Sequence, residues 1–381
     1  MNGNKMKLLV VGGTGVLSTA VVKEALSKGL EVSAVNRGNR KHLIPEGVEL
    51  IQADVNDTAY IQSVLAGKRF DTVIDFICYN QEQIAHSLDL FKDVADQYIF
   101  ISSACVYDTS IPGKKAEDAS KGFKDWSYST DKWASEQYLT RKAAEYGINY
   151  TIVRPCITYD DTRIPYGIMP PYGYHWTLVE RILNGKAVIT WDGGAARWNM
   201  MRVEDFAVGV TGLVGNPEAY GQAFNICGDE PVSWNEVLDT LGRILGKEVK
   251  RLDIPAERFM AYCPDRKGEI AGRAADAIID NARIKAIVPE FGQRISLEEG
   301  IRKTLDAYRA QNYQHGIDWR FDANWDFIVR QERKRQKLSR RDYKACFVNY
   351  LNSARLNGRI SYLKAFGRLT VSSLSSKIKQ R

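Results

Sequence analysis

The chain has 381 residues, 44% of them hydrophobic, and a formal net charge of +7 at pH 7. That length buries a full core and holds one large domain or two smaller ones. Residues 331–381 carry 14 Lys/Arg against 2 Asp/Glu, leaving 39 against 44 in the rest, so the body is mildly acidic and a general nucleic-acid-binding reading is excluded for it. No apolar run reaches transmembrane length, and the N-terminal residues lead into a strand without signal-peptide architecture. Six scattered cysteines without a C-x-x-C predict reduced thiols and a cytoplasmic protein. They give no zinc site, and the four dispersed histidines give no metal cluster.

Lys7-Leu-Leu-Val-Val11 predicts a first buried strand. Gly12-Gly-Thr-Gly15-Val16-Leu17-Ser18 follows, and Ala20, Val21, Val22, Ala25 and Leu26 continue at helical spacing. Strand, glycine turn and helix N-terminus make a phosphate site. Gly12 permits the tight turn, Gly15 lets the backbone approach a pyrophosphate, and the first helical N–H groups, from Val16 and Leu17 on, supply donors. Glu31–Val35 predicts a second strand, ending in Asn36-Arg37-Gly38 with Arg40 and Lys41 close by. An acid at this point would grip the ribose 2′-hydroxyl of NAD. Asn36 and Arg37 instead suit the 2′-phosphate of NADP, so NADP(H) is favoured over NAD(H). The alternative is a solvated basic turn.

Val48–Asp54 and Asp71–Phe76 predict the third and fourth strands, and a helix is expected over 81–96. Tyr98-Ile-Phe-Ile-Ser-Ser-Ala-Cys-Val-Tyr107 reads as a buried strand ending in hydroxyls. A polar loop over 108–127 can fold over the site. A helix from Tyr128 to about Tyr146, stopped by Gly147, leads to a sixth strand over Ile148–Arg154. Strands alternating with helices imply an α/β fold, a Rossmann-type doubly wound parallel sheet with ligands at the strand carboxyl ends. Tyr128 and Lys132 are four apart, one helical turn on one face. An ammonium beside a phenol favours the phenolate, and such a tyrosine exchanges protons with an alcohol or carbonyl near neutral pH. Ser103, at the strand end, can orient the same oxygen. A solvated Tyr/Lys pair is the plain alternative.

Taken together, the glycine turn, Ser103 and Tyr128-x-x-x-Lys132 resemble the extended short-chain dehydrogenase/reductases, also called the NAD-dependent epimerase/dehydratase family, over about residues 6–310. The resemblance implies Ser103, Tyr128 and Lys132 as the catalytic set. It also implies a dinucleotide held by the Gly12–Ser18 turn, with Ser18 where the family has a third glycine, and by Asn36, Arg37, Asp54, Val55, Phe76 and Ile77. A Rossmann domain over 1–155, with return strands near 191–228 (Trp191–Asp205 and Phe224–Gly228), would precede a mainly substrate-binding lobe over 156–330. In that lobe the aromatic segment Tyr166–Trp176 reads either as substrate-facing or as packed, and Ser233 with Glu236 predicts a capping box. The family arginine that binds a substrate diphosphate falls on Trp198, with Arg197 one residue off on the opposite strand face. Arg202 and, in Arg266-Lys-Gly-Glu269, Arg266 are the other substrate-binding candidates. Ala104-Cys105 replaces the acidic pair of the 4,6-dehydratase branch, which disfavours dehydration.

These residues imply an NAD(P)-dependent enzyme acting on a sugar hydroxyl or keto group, most simply a nucleotide-linked sugar. It would be either an epimerase or a one-way NADPH-dependent ketoreductase. An RNA-binding protein on the same fold, as in the chloroplast stem-loop-binding branch, is the rival from another class, and the intact catalytic set opposes it. A homodimer is compatible with the family. Residues 331–381 predict a basic helical extension. It holds Arg333–Lys337 and Arg340-Arg341, one amphipathic pattern at Phe347, Tyr350, Leu351 and Ala354, and a second at Ile360, Leu363, Phe366 and Leu369. Arg355, Arg359, Lys364 and Arg368 are interspersed. Such helices lie on anionic membrane surfaces or dock on the body.

Overall fold

Alternation of apolar side chains on two faces is what lets the first strands be covered on both sides. In β1 (Lys7–Val11), Leu8 and Val10 enter one core cluster and Leu9 and Val11 the other, the two-residue period of a strand buried on both faces. The computed structural model describes residues 5–313, 315–339 and 356–379. After β1 come α1 (Val16–Ser27), β2 (Glu31–Asn36), β3 (Glu49–Gln52), α2 (Thr58–Leu65) and β4 (Phe70–Asp75). Then follow α3 (Gln81–Phe91), β5 (Ala95–Ile101), α4 (Ser127–Tyr146) and β6 (Asn149–Pro155). The strand Gln222–Ile226 completes a seven-stranded sheet in the order Gln222–Ile226, β6, β5, β4, β1, β2, β3, and every pairing in it is parallel. The order reverses between β1 and β4, and parallel α/β sheets bind ligands outside the strand carboxyl ends at such a point.

The described residues divide into two compact units. The first comprises Met1–Asp160, Arg197–Pro231 and Ala275–Ser296; the second comprises Asp161–Ala196, Val232–Ala274 and Leu297–Arg381. In the first, α1 and the helix Val203–Thr211 share one core with Leu8 and Val10, while α2, α3 and α4 share the other. The position of α4 is set by charge as well as by packing. Glu136 accepts a fork from Arg154 on β6 (Nε 2.9 Å, Nη2 2.6 Å) and a bond from Ser102 Oγ (2.5 Å). The remaining Arg154 nitrogen donates to Tyr107 (2.8 Å) and to the Glu117 carbonyl (2.9 Å). Gly147, at φ +67°, stops α4 in the left-handed conformation that glycine adopts without strain.

Several expected boundaries move. The segment Trp191–Asp205 is not one strand. Val188–Trp191 belongs to the second unit, the Asp192–Gly194 turn interrupts the chain, Arg197–Arg202 is a strand of the first unit, and Asp205 lies inside the helix Val203–Thr211. Glu204 and Asp205 fill that helix's first turn, where acids favour helix over strand. The helix expected over 81–96 stops at Phe91, because β5 begins at Ala95 to pair with β4. The 108–127 loop is pinned by buried Thr109, Lys115 and Glu117, so this stretch is packed into the first unit.

In the second unit Tyr166, Ile168 and Met169 are buried and Tyr172 is exposed, so most of the aromatic segment is core. Its backbone is strapped by Arg273 on the Gly167 carbonyl and by Arg266 on that of Met169. The expected capping box forms between Ser233 and Glu236. The pattern at Phe347, Tyr350, Leu351 and Ala354 lies outside the described residues. The helix Leu356–Lys379 packs on the helix Trp319–Arg335 through Gly358, Tyr362 and Phe366; of the expected stripe, Phe366 meets Phe327, while Ile360 and Leu363 are exposed. A Cβ on Gly358 would lie 2.5 Å from Trp319, and the Tyr362 hydroxyl donates to Asp326 (2.8 Å). Beneath it Arg181 and Lys186 pair with Asp322 and Asp326. Among the described residues no helix is long and apolar enough to cross a membrane.

Arg154→Met strands the buried Glu136 carboxylate without its cation. The expected cost is about 3–5 kcal/mol in urea unfolding, and Glu136→Gln added to it should recover part of the loss. A single variant within about 0.5 kcal/mol of the parent would show that the pair does not hold α4.

Candidate active site

Backbone geometry fixes the glycine turn before any side chain does. Gly12 sits at φ +82°, and a Cβ there would lie 2.4 Å from Ile77 Cγ2, so only glycine fits. A Cβ on Gly13 would meet Ala34 Cβ at 3.0 Å. The doubled glycine was the signal for this second tight position, which the G-x-x-G-x-x-S spacing passes over. Gly15 N–H donates to Ser18 Oγ (2.8 Å), and Ser18 Oγ donates to the Gly12 carbonyl (2.6 Å). The serine therefore ties the turn to the first turn of α1, beside half-buried Val16 and Leu17.

At the end of β2, Asn36 Oδ1 accepts from Thr14 Oγ1 (3.4 Å), while Asn36 Nδ2 is buried with no hydrogen-bond partner. Such a donor costs roughly 1–3 kcal/mol, which a ligand oxygen would relieve. A turn with no room for a Cβ and a buried donor lacking an acceptor fit a dinucleotide. Arg37, Arg40 and Lys41 are exposed beside it. After β3, Asp54 accepts from the Asn56 backbone and side chain (3.0 Å each), and Asp57, not Asp54, caps α2. Val55 is half-buried, as are Phe76 and Ile77 beyond β4.

Beyond β5, Ser103 caps a short turn, its Oγ accepting from Cys105 N–H (3.1 Å) and keeping its own proton to donate. Half-buried Tyr128 stands in the first turn of α4, its ring 5.5 Å from that of Trp126. Lys132, one turn on, is 2% exposed. Its ammonium donates to the carbonyls of Cys78 (2.5 Å) and Ile101 (3.0 Å), so it joins the ends of β4 and β5. Burial lowers its pKa to about 8, with nearby Cys78 and Asp75 opposing the fall. Sequence reasoning missed two buried acids here. Glu136 continues the Tyr128, Lys132 spacing by four more residues, and Asp75 ends an apolar strand.

The substrate arginines are differently placed. Arg197 is half-exposed and forks Asp276 (3.1 and 2.7 Å), while Trp198 on the other strand face is buried. Arg202 is buried and forks Glu204 (2.9 and 2.7 Å). Arg266 belongs to the second unit, where it bonds Glu269 (2.8 Å) and the Met169 carbonyl (2.8 Å). Each thus holds a carboxylate. The dinucleotide and catalytic candidates all fall in the first unit.

A parallel sheet with a glycine turn opening its first helix is the architecture of dinucleotide-binding enzymes. The model of the NAD dependent epimerase/dehydratase family matches residues 8–227, and the chain belongs to that family. It is similar to a 2′-dehydrokanamycin reductase of Streptomyces kanamyceticus, 23% identical over 76% of this chain and 81% of that protein. A chloroplast stem-loop binding protein of Arabidopsis thaliana is 24% identical, covering 61% of each chain. Among solved structures, the UDP-glucose 4-epimerase of Thermotoga maritima, with UDP-glucose, superposes at a TM-score of 0.64 with 21% identity, covering 81% of this chain and all of that one.

Proposed function

We propose that the protein transfers a hydride between a nicotinamide dinucleotide, NADP(H) by preference, and a hydroxyl or keto carbon of a sugar. The observation that carries this reading is the Lys132 ammonium, buried and tied to two strand-end carbonyls one helical turn from Tyr128. When bound, the nicotinamide supplies the hydride chemistry. Tyr128 gives a proton to the substrate oxygen as a ketone becomes an alcohol, or takes one in the reverse direction. Lys132, with a pKa near 8, is mostly charged at neutral pH and favours the phenolate. Ser103 donates to the same oxygen. Two sugar-modifying relatives, the reductase and the epimerase, support the substrate class, and a nucleotide-linked sugar is the form the family favours.

A one-way keto-sugar reductase is the second reading. It draws support from the basic turn Arg37–Lys41, from Asn36 in place of an acid, and from the absence of a diphosphate-binding arginine at Trp198. The RNA-binding alternative has a relative to its name, but the acid excess of residues 1–330 repels a polyanion. Peripheral contact with an anionic membrane is proposed for the outward face of the Leu356–Lys379 helix. Exposed Ile360, Leu363 and Val371 lie there with exposed Lys364 and Arg368 in a strongly basic segment.

Tyr128→Phe should lower turnover on the keto sugar or sugar alcohol by roughly 10²–10⁴-fold while dinucleotide affinity stays near that of the parent. Unchanged turnover on the true substrate would remove Tyr128 from the chemistry. In Arg37→Ala, NADPH affinity should fall at least tenfold more than NADH affinity, read by nicotinamide fluorescence; equal losses would leave Arg37 a solvated turn residue. The whole chain should co-sediment with phosphatidylserine vesicles at low salt and be released at moderate salt. Indifference to such vesicles would make the helix a packing element alone.

A further inference from the structure

We propose that Asp75 is a positioning residue for the dinucleotide: its buried carboxylate holds the turn Phe76–Cys78 so that Ile77 closes on Gly12 and the Cys78 carbonyl meets Lys132. The carboxylate is 1% exposed and accepts four bonds. Two come from the turn itself, Ile77 N–H (2.8 Å) and Cys78 Sγ (3.1 Å). The other two come from the scaffold, the Tyr98 hydroxyl on β5 (2.9 Å) and the Ser87 hydroxyl on α3. One acid therefore ties a strand-end turn to a neighbouring strand and to a helix.

Both products of that turn face the ligand side of the sheet. Ile77 Cγ2 fills the space a Gly12 side chain would need. The Cys78 carbonyl receives the Lys132 ammonium at 2.5 Å. A neutral core group of the same shape could fill the volume but could not hold both turn donors and also place a negative charge near the ammonium. The charged and titratable groups that face Lys132 are Asp75 at the end of β4, Cys78 in the turn beyond it, Cys105 in the turn after β5 and Glu136 on α4. The rings of Tyr79 and Phe100 lie 4.9 Å from Nζ. The Asp75 charge favours the ammonium, so its removal lowers the pH at which Lys132 loses its proton.

The test is NADPH titration of the full chain from pH 7 to 9.5, with thermal midpoints recorded alongside, for Asp75→Asn and Tyr98→Phe. Asp75→Asn should bind NADPH about tenfold more weakly at pH 7.5, and the pH above which affinity falls should move down by about one unit. Tyr98→Phe removes a scaffold donor but leaves both turn bonds, so its midpoint should fall while its affinity stays within about twofold. An Asp75→Asn protein with a lowered midpoint, unchanged affinity and an unmoved pH profile would overturn the proposal. Equal weakening in both variants would do so too. Should Asp75→Asn not fold, Cys78→Ala, which removes one of the two turn bonds to Asp75, carries the reading: an affinity loss of about threefold is expected, and none would overturn it. The proposal rests on Lys132 as a dinucleotide contact. No sugar is present, so its failure leaves the sugar reading standing, and an inert Tyr128 would leave Asp75 untouched.

Discussion

A lysine ammonium at 2% exposure cannot be left to water, and the carboxyl ends of β4 and β5 are arranged around that fact. Its hydration is replaced by two backbone carbonyls, that of Ile101 at the end of β5 and that of Cys78 in the turn beyond β4. Desolvation still pulls its pKa down to about 8, and the residual cost is the price of a positive charge that does not wander. Parallel strands make this possible: all their carboxyl ends emerge on one side, so turns from neighbouring strands can converge on one cation. The glycine turn after β1 opens on that same side and abuts the turn after β4 through Ile77 and Gly12.

The second constraint is the Glu136–Arg154 pair. A helix that starts with Tyr128 could rotate by a few degrees on an apolar face with little penalty, since Leu139 and Ala143 pack without direction. A bidentate guanidinium does have direction. It fixes the azimuth of α4 through Glu136, two turns beyond Tyr128 on the face that also carries Lys132. Holding the turn after β4 and orienting α4 are thus handled by separate buried acids, Asp75 and Glu136.

Local rules made much of this legible. Lys7–Val11, the glycine turn, the α4 stop at Gly147 and the Ser233–Glu236 cap are written in contiguous residues, and periodicity with turn chemistry finds them. The parallel sheet followed from alternation of strands and helices. What local rules could not reach were partners distant in the chain. Nothing near Asp75 announces Tyr98 or Ser87, and nothing near Arg154 announces Glu136. The same blindness made Trp191–Asp205 look like one strand, although the chain passes from the second unit to the first within it. It also left Arg197 looking available when Asp276 already holds it. In the C-terminal helix the periodic stripe found Phe366 but passed over Tyr362 for a related reason: Tyr362 docks because Asp326 waits beneath it, a fact no helical wheel contains.

The buried charges of the second unit have a consequence for the order of events on the ribosome. Arg181 and Lys186 leave the exit tunnel before the acids that pair with them, and Asp322 follows 141 residues after the arginine. At roughly 5–20 residues per second, the two cations wait on the order of ten seconds before their acids exist, and Tyr362, which covers Asp326, comes later still. Residues of the first unit end at Ser296, so the seven-stranded sheet can be complete before the acids of the other unit's ion pairs exist. The nascent chain therefore passes through a stage in which the sheet of the first unit is finished while the buried ion pairs of the second are still half made.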